Sequence, residues 1–421
     1  MKRILLLLLV ALSLFSCDKE DVVVPQRHAG RTVLAFFWAD NDLNNVLRNN
    51  IKTMMSGLQE MKDSATLVVY WDGYSSDKNW STPSIVTYTT NGKGSINNYS
   101  KEAIEELCAD VNTTIYDLIG LGDLKKTYPS QVSTEKQVMQ TVISDMMGYY
   151  PSESYGIIFG SHGSGWLPTI TGTRSIGVDG AYANTAMIPE LAEVLGTVNS
   201  RKFDFVLFDA CMMGGAEVYY ELRNVTEYCI ASVLDVPGAG FPYGSLMPYL
   251  YENNIKDYLS AICKIYIDTY NNNAWGTVTA VDCNQMDGLA AATRNVILAN
   301  QDRLKSVNTA NLQEYGRKRG SNDSFVGVGY DMVQFTETLC GGEAPAEFME
   351  QFNKTVIYTD YTPNVSASYY RIDGDNYCGM GMYIPNSSTS SKYLLWNDYF
   401  IKSIAWYHAA GWEETQSIWG K

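Results

Sequence analysis

The chain has 421 residues and a formal net charge of −15, with 31 basic and 46 acidic side chains. This length is enough for a large buried core with one or two subdomains. The acidic balance argues against nucleic acid as a partner, and it favours cationic substrates through long-range attraction.

The N-terminus has the features of a bacterial secretion signal. A positively charged start precedes the apolar run 4–14, which is too short to span a membrane comfortably. The run ends in Leu-Phe-Ser-Cys17, which resembles a lipobox, so we expect residues 1–16 to be removed and Cys17 to carry a lipid. An ordinary cleavage site with an incidental cysteine is the alternative. Residues 17–30 are then a tether to a membrane of the cell envelope, at the outer membrane or the cell surface.

Apolar runs alternate with helical patterns after the tether. Continuous apolar runs, typical of strands buried on both faces, lie at 31–38, 65–71, 155–161, 203–209 and 228–233. Amphipathic helices are predicted between them at 43–61, 134–147, 187–198 and 215–222. This alternation predicts an α/β fold with a mostly parallel sheet and helices on both faces.

The second part of the chain has a more mixed pattern. We place a soft boundary near residue 255, between a core at 31–255 and a C-terminal subdomain at 256–421. The elements predicted there are a strand at 276–282, helices at 284–318, 329–354 and 393–410, and a hairpin of 366–372 and 379–384.

Cysteine and histidine usage limits the chemistry. Eight cysteines are widely and irregularly spaced, mostly in apolar segments, so most are predicted to be small buried hydrophobic residues. Disulfide pairing among Cys283, Cys340 and Cys378 stays open. The three histidines form no HExxH pattern and the cysteines form no CxxC pattern, so no metal site is predicted.

Two predicted strand ends carry reactive side chains. His162 follows the strand 155–161 within Gly-Ser-His-Gly-Ser-Gly-Trp, and Cys211 follows the strand 203–209 within Asp-Ala-Cys-Met-Met-Gly-Gly. Ligands gather at the carboxyl ends of parallel strands, and neighbouring strands lie about 5 Å apart. We therefore expect both side chains to reach one substrate carbon.

Catalysis by a cysteine needs a thiolate, a proton donor for the leaving amine and N–H groups that face the developing oxyanion. Cys211 would attack the carbonyl, and His162 would act as general acid and base. Backbone N–H groups around Gly163 and Cys211 would form the oxyanion hole. Taken singly, each side chain has a structural alternative, since strand-end cysteines are often buried and a histidine before glycines can cap a turn.

The two segments resemble the catalytic motifs of the clostripain family, within the caspase, legumain and gingipain-like group of cysteine peptidases. The match includes Glu217, one turn beyond the cysteine. Segment 38–43, Trp-Ala-Asp-Asn-Asp-Leu, and segment 231–243, which contains Pro-Gly-Ala-Gly-Phe-Pro-Tyr, also resemble family motifs. Together the four segments cover roughly residues 31–245.

The resemblance implies a caspase-like three-layer αβα sandwich with a mostly parallel central sheet and a mixed C-terminal subdomain. It also implies an endopeptidase that cleaves protein or peptide substrates after arginine or lysine, through a dyad of Cys211 and His162 without an obligatory third member. No cofactor is expected. Calcium dependence, known in part of the family, stays open because the sequence has no EF-hand loop.

The resemblance also assigns residues around the dyad. Asp209 matches the acidic residue that helps form the pocket for the basic side chain, with a purely structural carboxylate as the alternative. Ser232 and Asp235 lie on the loop that borders this pocket and are candidates to line it, with a structural role as the alternative for Ser232. Arg174 lies in a Gly- and Thr-rich loop between the two motifs and is a candidate for self-cleavage, with an uncut surface arginine as the alternative.

Two other classes of function remain possible from the sequence. One is a catalytically silent envelope lipoprotein that keeps the fold and binds a glycan or a protein. The other is a cysteine-dependent transferase or amidase, whose acceptor is not water.

Overall fold

The computed structural model describes residues 28–74, 80–168, 175–180, 184–271, 275–317, 326–363 and 372–420. The predicted signal peptide, the tether with Cys17, the loop with Arg174 and most of the predicted strand 366–372 lie outside these ranges.

The described residues contain the following strands: β1 (His28–Ala39), β2 (Ser64–Gly73), β3 (Ser84–Asn91), β4 (Asp123–Thr127), β5 (Ser152–Gly160), β6 (Ile176–Asp179), β7 (Asn184–Ala186), β8 (Phe203–Asp209), β9 (Thr226–Ala231), β10 (Thr277–Asp282), β11 (Glu314–Arg317), β12 (Val326–Asp331), β13 (Val356–Tyr361) and β14 (Gly381–Met382). The helices are α1 (Asn44–Gln59), α2 (Lys101–Ala109), α3 (Ile115–Leu121), α4 (Lys136–Tyr149), α5 (Ile188–Val198), α6 (Ala216–Leu222), α7 (Tyr243–Leu250), α8 (Leu259–Tyr270), α9 (Met286–Ala299), α10 (Met332–Cys340), α11 (Ala346–Thr355), α12 (Ser391–Ser403), α13 (Ala405–Ala409) and α14 (Gln416–Trp419).

One large sheet forms the centre of the described structure, with strand order β13-β10-β9-β8-β5-β1-β2-β3-β4. Its central strands β9, β8, β5, β1 and β2 are parallel. Antiparallel strands extend it at both edges, β3 and β4 on one side and β10 and β13 on the other. Strands β11, β12 and β14 form a smaller sheet, and β6 pairs with β7.

Strand β1 shows why the central strands are continuously apolar. Leu34, Phe36 and Trp38 pack into one hydrophobic cluster, whereas Val33 and Phe37 pack into another on the opposite face. The first cluster takes side chains from α4, α5, α6 and α9 to α13, and the second takes them from α1, α2, α3, α7 and α8. Helices therefore cover both faces, and the predicted αβα sandwich with a mostly parallel sheet is confirmed.

The five apolar runs of the core and the strand predicted at 276–282 are all strands, and the four predicted core helices are present. The two predicted helical regions 284–318 and 329–354 are only partly helical. The region 284–318 is helical only to Ala299 and ends in strand β11, and the region 329–354 contains two helices. Helix α10 ends because Gly341 takes a left-handed conformation with φ 79°.

One further prediction in the C-terminal half needs correction. The helical region 393–410 is interrupted at Ile404, which has extended backbone between α12 and α13. Strand β14, within the predicted hairpin arm 379–384, pairs with β12 in the described structure. The boundary predicted near residue 255 falls between β9 and β10, which are antiparallel neighbours in the one large sheet.

The cysteines of the described residues are all free, including Cys283, Cys340 and Cys378. In the same residues, no helix is both long enough and apolar enough to cross a membrane.

Candidate active site

The carboxyl ends of β1, β5, β8 and β9 meet at one edge of the sheet, where the loops that follow them surround a cleft of about 540 Å³. His162 and Cys211 both line this cleft. The structure therefore brings together the two side chains that the sequence placed at the ends of β5 and β8.

The histidine loop is held by hydrogen bonds from the neighbouring strand ends. The Ser161 hydroxyl donates to the Trp38 carbonyl at 3.0 Å and accepts from the Val178 N–H at 3.0 Å. The next residue, His162, accepts through its carbonyl from the Gly177 N–H at 3.0 Å. Gly177 has φ 74°, and a Cβ there would lie 2.8 Å from the Trp38 ring. The β5 end is thus fixed to both β1 and β6.

The cysteine loop is held by the loop after β9 and by β14. The Met212 N–H donates to the Leu234 carbonyl at 2.9 Å, and the Gly214 N–H donates to the Ser232 carbonyl at 2.8 Å. Met212 is one of two non-glycine residues with positive φ, at 60°, among the described residues. This strained turn directly follows Cys211, as expected for a side chain that is forced out of a strand end.

The two loops touch through their backbones. A Cβ on Gly163 would lie 2.6 Å from the Cys211 carbonyl oxygen, so only glycine allows this approach. The hydrogen bonds between 162–164 and 175–177 use the carbonyl of His162 and the N–H of Ser164. The Gly163 N–H takes no part in them, and Gly163 and Cys211, the two residues of the predicted oxyanion hole, both line the cleft.

His162 has a carboxylate partner. Its Nε2 lies 2.6 Å from Oδ1 of Asp42, with 33% of the histidine side chain and 62% of the aspartate side chain exposed. A carboxylate at this distance fixes the orientation of the ring and stabilises the imidazolium that forms when the histidine takes up a proton. Asp42 lies in the segment that follows β1, so a third strand end contributes to the site.

The Cys211 thiol lies in an acidic environment. Asp235 and Val236 lie beside it, because the Met212 N–H donates to the Leu234 carbonyl at 2.9 Å, and Cys211, Asp235 and Val236 all line the cleft. Burial raises the pKa of the Cys211 thiol well above its usual range, and the negative charges of Asp235 and Asp209 raise it further. This environment therefore stabilises the thiol over the thiolate that catalysis needs.

Asp209 is buried at the end of β8, with an exposed fraction of 6%. Its Oδ2 accepts from Asn50 Nδ2 at 2.8 Å, from the Tyr243 hydroxyl at 2.9 Å and from the Phe241 N–H at 3.4 Å. Burial raises the pKa of this carboxyl to about 6, and the donors from Tyr243 and Phe241 oppose that rise. Oδ1 has no hydrogen-bond partner among the described residues, although Asp209 lines the cleft.

Ser232 is placed differently from the other predicted pocket residues. It is fully buried, and its hydroxyl is shared with Thr277 of β10 at 2.6 Å and accepts from the Leu234 N–H. Asp235, three residues further on, lines the cleft. In this arrangement the Ser232 hydroxyl supports the loop through Thr277, and Ser232 is not among the described residues that line the cleft.

Glu217 connects both catalytic loops to the C-terminal half. It is 2% exposed, and it accepts from the Tyr383 N–H at 2.7 Å and from the Trp166 indole. Burial raises the pKa of its carboxyl to about 7. The Gly381 N–H also donates to the Gly214 carbonyl at 3.0 Å, so β14 holds the cysteine loop in place.

Sequence reasoning missed three residues of the site. Asp42 was included in a matched segment without a role, although an acidic residue just after a strand end is a usable signal. Asn50 and Tyr243, which hold Asp209, lie in helices and carry no signal of their own in the sequence. No group of three or more histidine, cysteine, aspartate or glutamate side chains in the described residues is arranged to hold a metal ion.

A parallel-centred αβα sandwich with a cysteine and a histidine at adjoining strand ends defines the class of caspase-like cysteine peptidases. The model of the clostripain family, Peptidase C11, matches residues 35–419. The chain therefore belongs to the clostripain family of cysteine peptidases. No curated protein matches the chain significantly.

Solved structures of C11 proteases are similar to this chain. A secreted C11 cysteine protease from Bacteroides thetaiotaomicron, in complex with an irreversible peptide inhibitor, is 24% identical with a TM-score of 0.69, covering 91% of this chain and 99% of that chain. An inactive zymogen C11 protease from Parabacteroides distasonis is 23% identical with a TM-score of 0.69, covering 92% of this chain and 99% of that chain. At these identities the similarity establishes the common fold.

Replacing Gly163 by alanine should damage catalysis more than folding. The new Cβ would lie 2.6 Å from the Cys211 carbonyl and would push the two loops apart. We expect kcat/KM for a peptide substrate to fall by about a hundredfold, the effect of losing one oxyanion donor. Gly148→Ala is the matched control, because nothing lies within 4 Å of a Cβ at that position. Equal activity of the two variants would contradict the predicted role of the contact.

Replacing Asp42 by asparagine should weaken the histidine as a general acid and base. We expect kcat/KM to fall by about tenfold, a modest effect because the pair is partly exposed to solvent. Asp42→Glu, which keeps the carboxylate, should restore part of the activity. A lower kcat/KM without rescue by Asp42→Glu would show that Asp42 acts only on the local structure.

Proposed function

We propose that the protein is a lipid-anchored endopeptidase of the cell envelope that hydrolyses peptide bonds on the carboxyl side of arginine or lysine. The observation that carries the specificity is the charge of the cleft. Three carboxylates, those of Asp42, Asp209 and Asp235, line it together with the catalytic pair, whereas its described lining contains no lysine or arginine. A cationic side chain needs such a partner, because burying it unpaired is costly.

Asp209 is suited to receive the charged end of the substrate side chain. Its Oδ2 is fixed by three donors, and its Oδ1 remains without a partner among the described residues. A carboxylate held in this way loses little further freedom when a guanidinium or ammonium binds. Gly240 leaves room for this carboxylate, since a Cβ at residue 240 would lie 2.6 Å from Oδ2 of Asp209.

Self-cleavage after Arg174 is part of the proposal. Arg174 lies outside the described residues, but the next residue, Ser175, lines the cleft. A peptidase with this specificity would accept the bond between Arg174 and Ser175 as a substrate. One of the solved C11 structures is an inactive zymogen, which is consistent with activation by cleavage in the family.

The anchor is proposed from the N-terminal sequence alone. Cys17 follows the apolar run 4–14 directly, in the position of a lipidated cysteine. One of the similar C11 proteases is described as secreted. Palmitate labelling in a bacterial host tests the anchor, because a Cys17→Ser chain should take up no label.

The decisive test compares peptides that differ only in the charge of the residue before the cleaved bond. Arginine and citrulline have nearly the same shape, so we expect at least about a hundredfold higher kcat/KM for the arginine peptide. The Cys211→Ala chain should cleave neither peptide and should remain uncut after Arg174, as judged by mass spectrometry. Equal cleavage of both peptides by the unmodified chain would contradict the proposed specificity.

The charge state of Asp209 should set the acid limit of this preference. Because burial raises its pKa to about 6, the free enzyme loses this negative charge as the pH falls through about 6. The ratio of kcat/KM for the arginine peptide over the citrulline peptide should therefore fall in the same range, while effects on the catalytic pair cancel. In Asp209→Asn the ratio should be small and should not change with pH. A ratio that stays constant between pH 5 and 8 in the unmodified chain would contradict the proposed role of Asp209 in binding the basic side chain.

A further inference from the structure

Asp235 occupies an unusual position in the cleft, because one carboxylate faces both the nucleophile and the space for the substrate. It lies beside Cys211, because the Met212 N–H donates to the Leu234 carbonyl at 2.9 Å, and both Cys211 and Asp235 line the cleft. A carboxylate beside a thiol can accept its S–H, and it then holds the proton that must leave before the sulfur can attack. A cysteine peptidase would be expected to place a positive charge there instead.

Among the residues that the structure describes, the other charged and titratable groups near Cys211 do not supply that positive charge. Asp209 adds a second carboxylate near Cys211. The phenol of the buried Tyr266 is also close enough to interact electrostatically with the thiol. His162 is the cationic candidate on the cleft, and its Nε2 is paired with Asp42 at 2.6 Å. If His162 carries a proton, its positive charge and the negative charge of Asp42 largely cancel at the Cys211 sulfur.

We propose that Asp235 exchanges partners when a substrate binds, so that a cationic side chain in the cleft switches the nucleophile on. In the empty site the Asp235 carboxylate accepts the Cys211 S–H. In the complex it accepts instead from the N–H groups of the substrate's guanidinium or ammonium group. This inference rests on the proposed preference for basic residues, and it adds that the substrate's charge takes part in activating the enzyme.

The proton balance of this step needs no other reactant. Once Asp235 has turned to the substrate cation, the S–H bond of Cys211 breaks and the proton passes to His162. The sulfur keeps the electron pair and attacks the carbonyl carbon, and the imidazolium later returns the proton to the leaving amine. The positive charge in the cleft offsets the carboxylates and stabilises the thiolate electrostatically.

The exchange of partners by Asp235 determines which kinetic constant, KM or kcat, distinguishes basic from neutral substrates. A pocket that only binds the basic side chain would discriminate mainly through KM, since uniform binding does not raise kcat. A switch also discriminates through kcat, because a neutral side chain leaves the thiol protonated. It further protects the empty enzyme from alkylation and oxidation, since the thiolate is the reactive form of cysteine.

Alkylation of Cys211 in the full chain tests the switch without any peptide substrate. Iodoacetamide, which is neutral, is added at pH 7, and modification of the peptide that contains Cys211 is followed by mass spectrometry. Methylguanidinium serves as the cation, and N-methylurea serves as the neutral control of similar shape. We expect methylguanidinium to accelerate alkylation by about tenfold, as expected for one unit charge acting over several ångströms at a protein surface. N-methylurea should give no acceleration.

Variants identify the residue responsible. Asp235→Ala should be alkylated faster than the unmodified chain in the absence of cation and should no longer respond to methylguanidinium. Asp398→Asn, an exposed residue of α12 that pairs with Lys402, should respond like the unmodified chain. Unfolding midpoints verify that both variants are folded, and Asp235→Asn replaces the alanine variant if that one is not.

Two results would overturn the switch, and one separates it from the proposed function. Absence of acceleration in a chain that cleaves after arginine would reject the switch and leave the specificity intact. A full response in folded Asp235 variants would also reject it. Acceleration that depends on Asp235, in a chain that cleaves no peptide after a basic residue, would support the switch and reject the proposed specificity.

Discussion

The active site depends on the backbone contact between the loops that follow β5 and β8. Parallel pairing aligns these strands so that Gly160 lies opposite Asp209, and the two loops then leave the sheet side by side. Gly163 is so close to the Cys211 carbonyl that a side chain would not fit between them. The positions of the histidine, the cysteine and the candidate oxyanion donor all follow from this contact, which explains why the motif surrounds His162 with glycines.

The negative charges of the cleft place a second constraint on the active site. Carboxylates that attract a cationic side chain also oppose ionisation of the nucleophile, because both occupy one small volume at the sheet edge. Distance alone cannot resolve this conflict, since Asp209 is only two residues from Cys211. In the proposed switch, a substrate that brings its own positive charge resolves it at the moment when the thiolate is needed. The proposed preference for basic residues and the reactivity of the cysteine would then have one physical cause.

The sequence predicted those parts of the fold that local patterns determine. Strand β8 was predicted with its observed bounds, because its residues are apolar on both faces and a Gly-rich turn follows. Strand β3 was missed because its sequence, Ser-Ile-Val-Thr-Tyr-Thr-Thr-Asn, mixes threonines with apolar residues, and only its pairing with β2 buries them. The same limit applies to the site. Cys211 and His162 carry chemistry that can be recognised locally, whereas the burial of Ser232 depends on Thr277, which is 45 residues away in the chain.

The C-terminal half supports the catalytic centre as well as extending the sheet. Strand β14 donates from the Gly381 N–H to the Gly214 carbonyl, and the neighbouring Tyr383 N–H donates to the buried Glu217. Trp166, just beyond the histidine motif, donates to the same carboxylate and packs against the rings of Tyr383 and Phe400. A buried carboxylate with fixed donors is costly to leave unsatisfied, so these contacts tie the histidine loop, the cysteine helix and the C-terminal segment to one another. The C-terminal segment, which the family match includes up to residue 419, is therefore part of the support of the site.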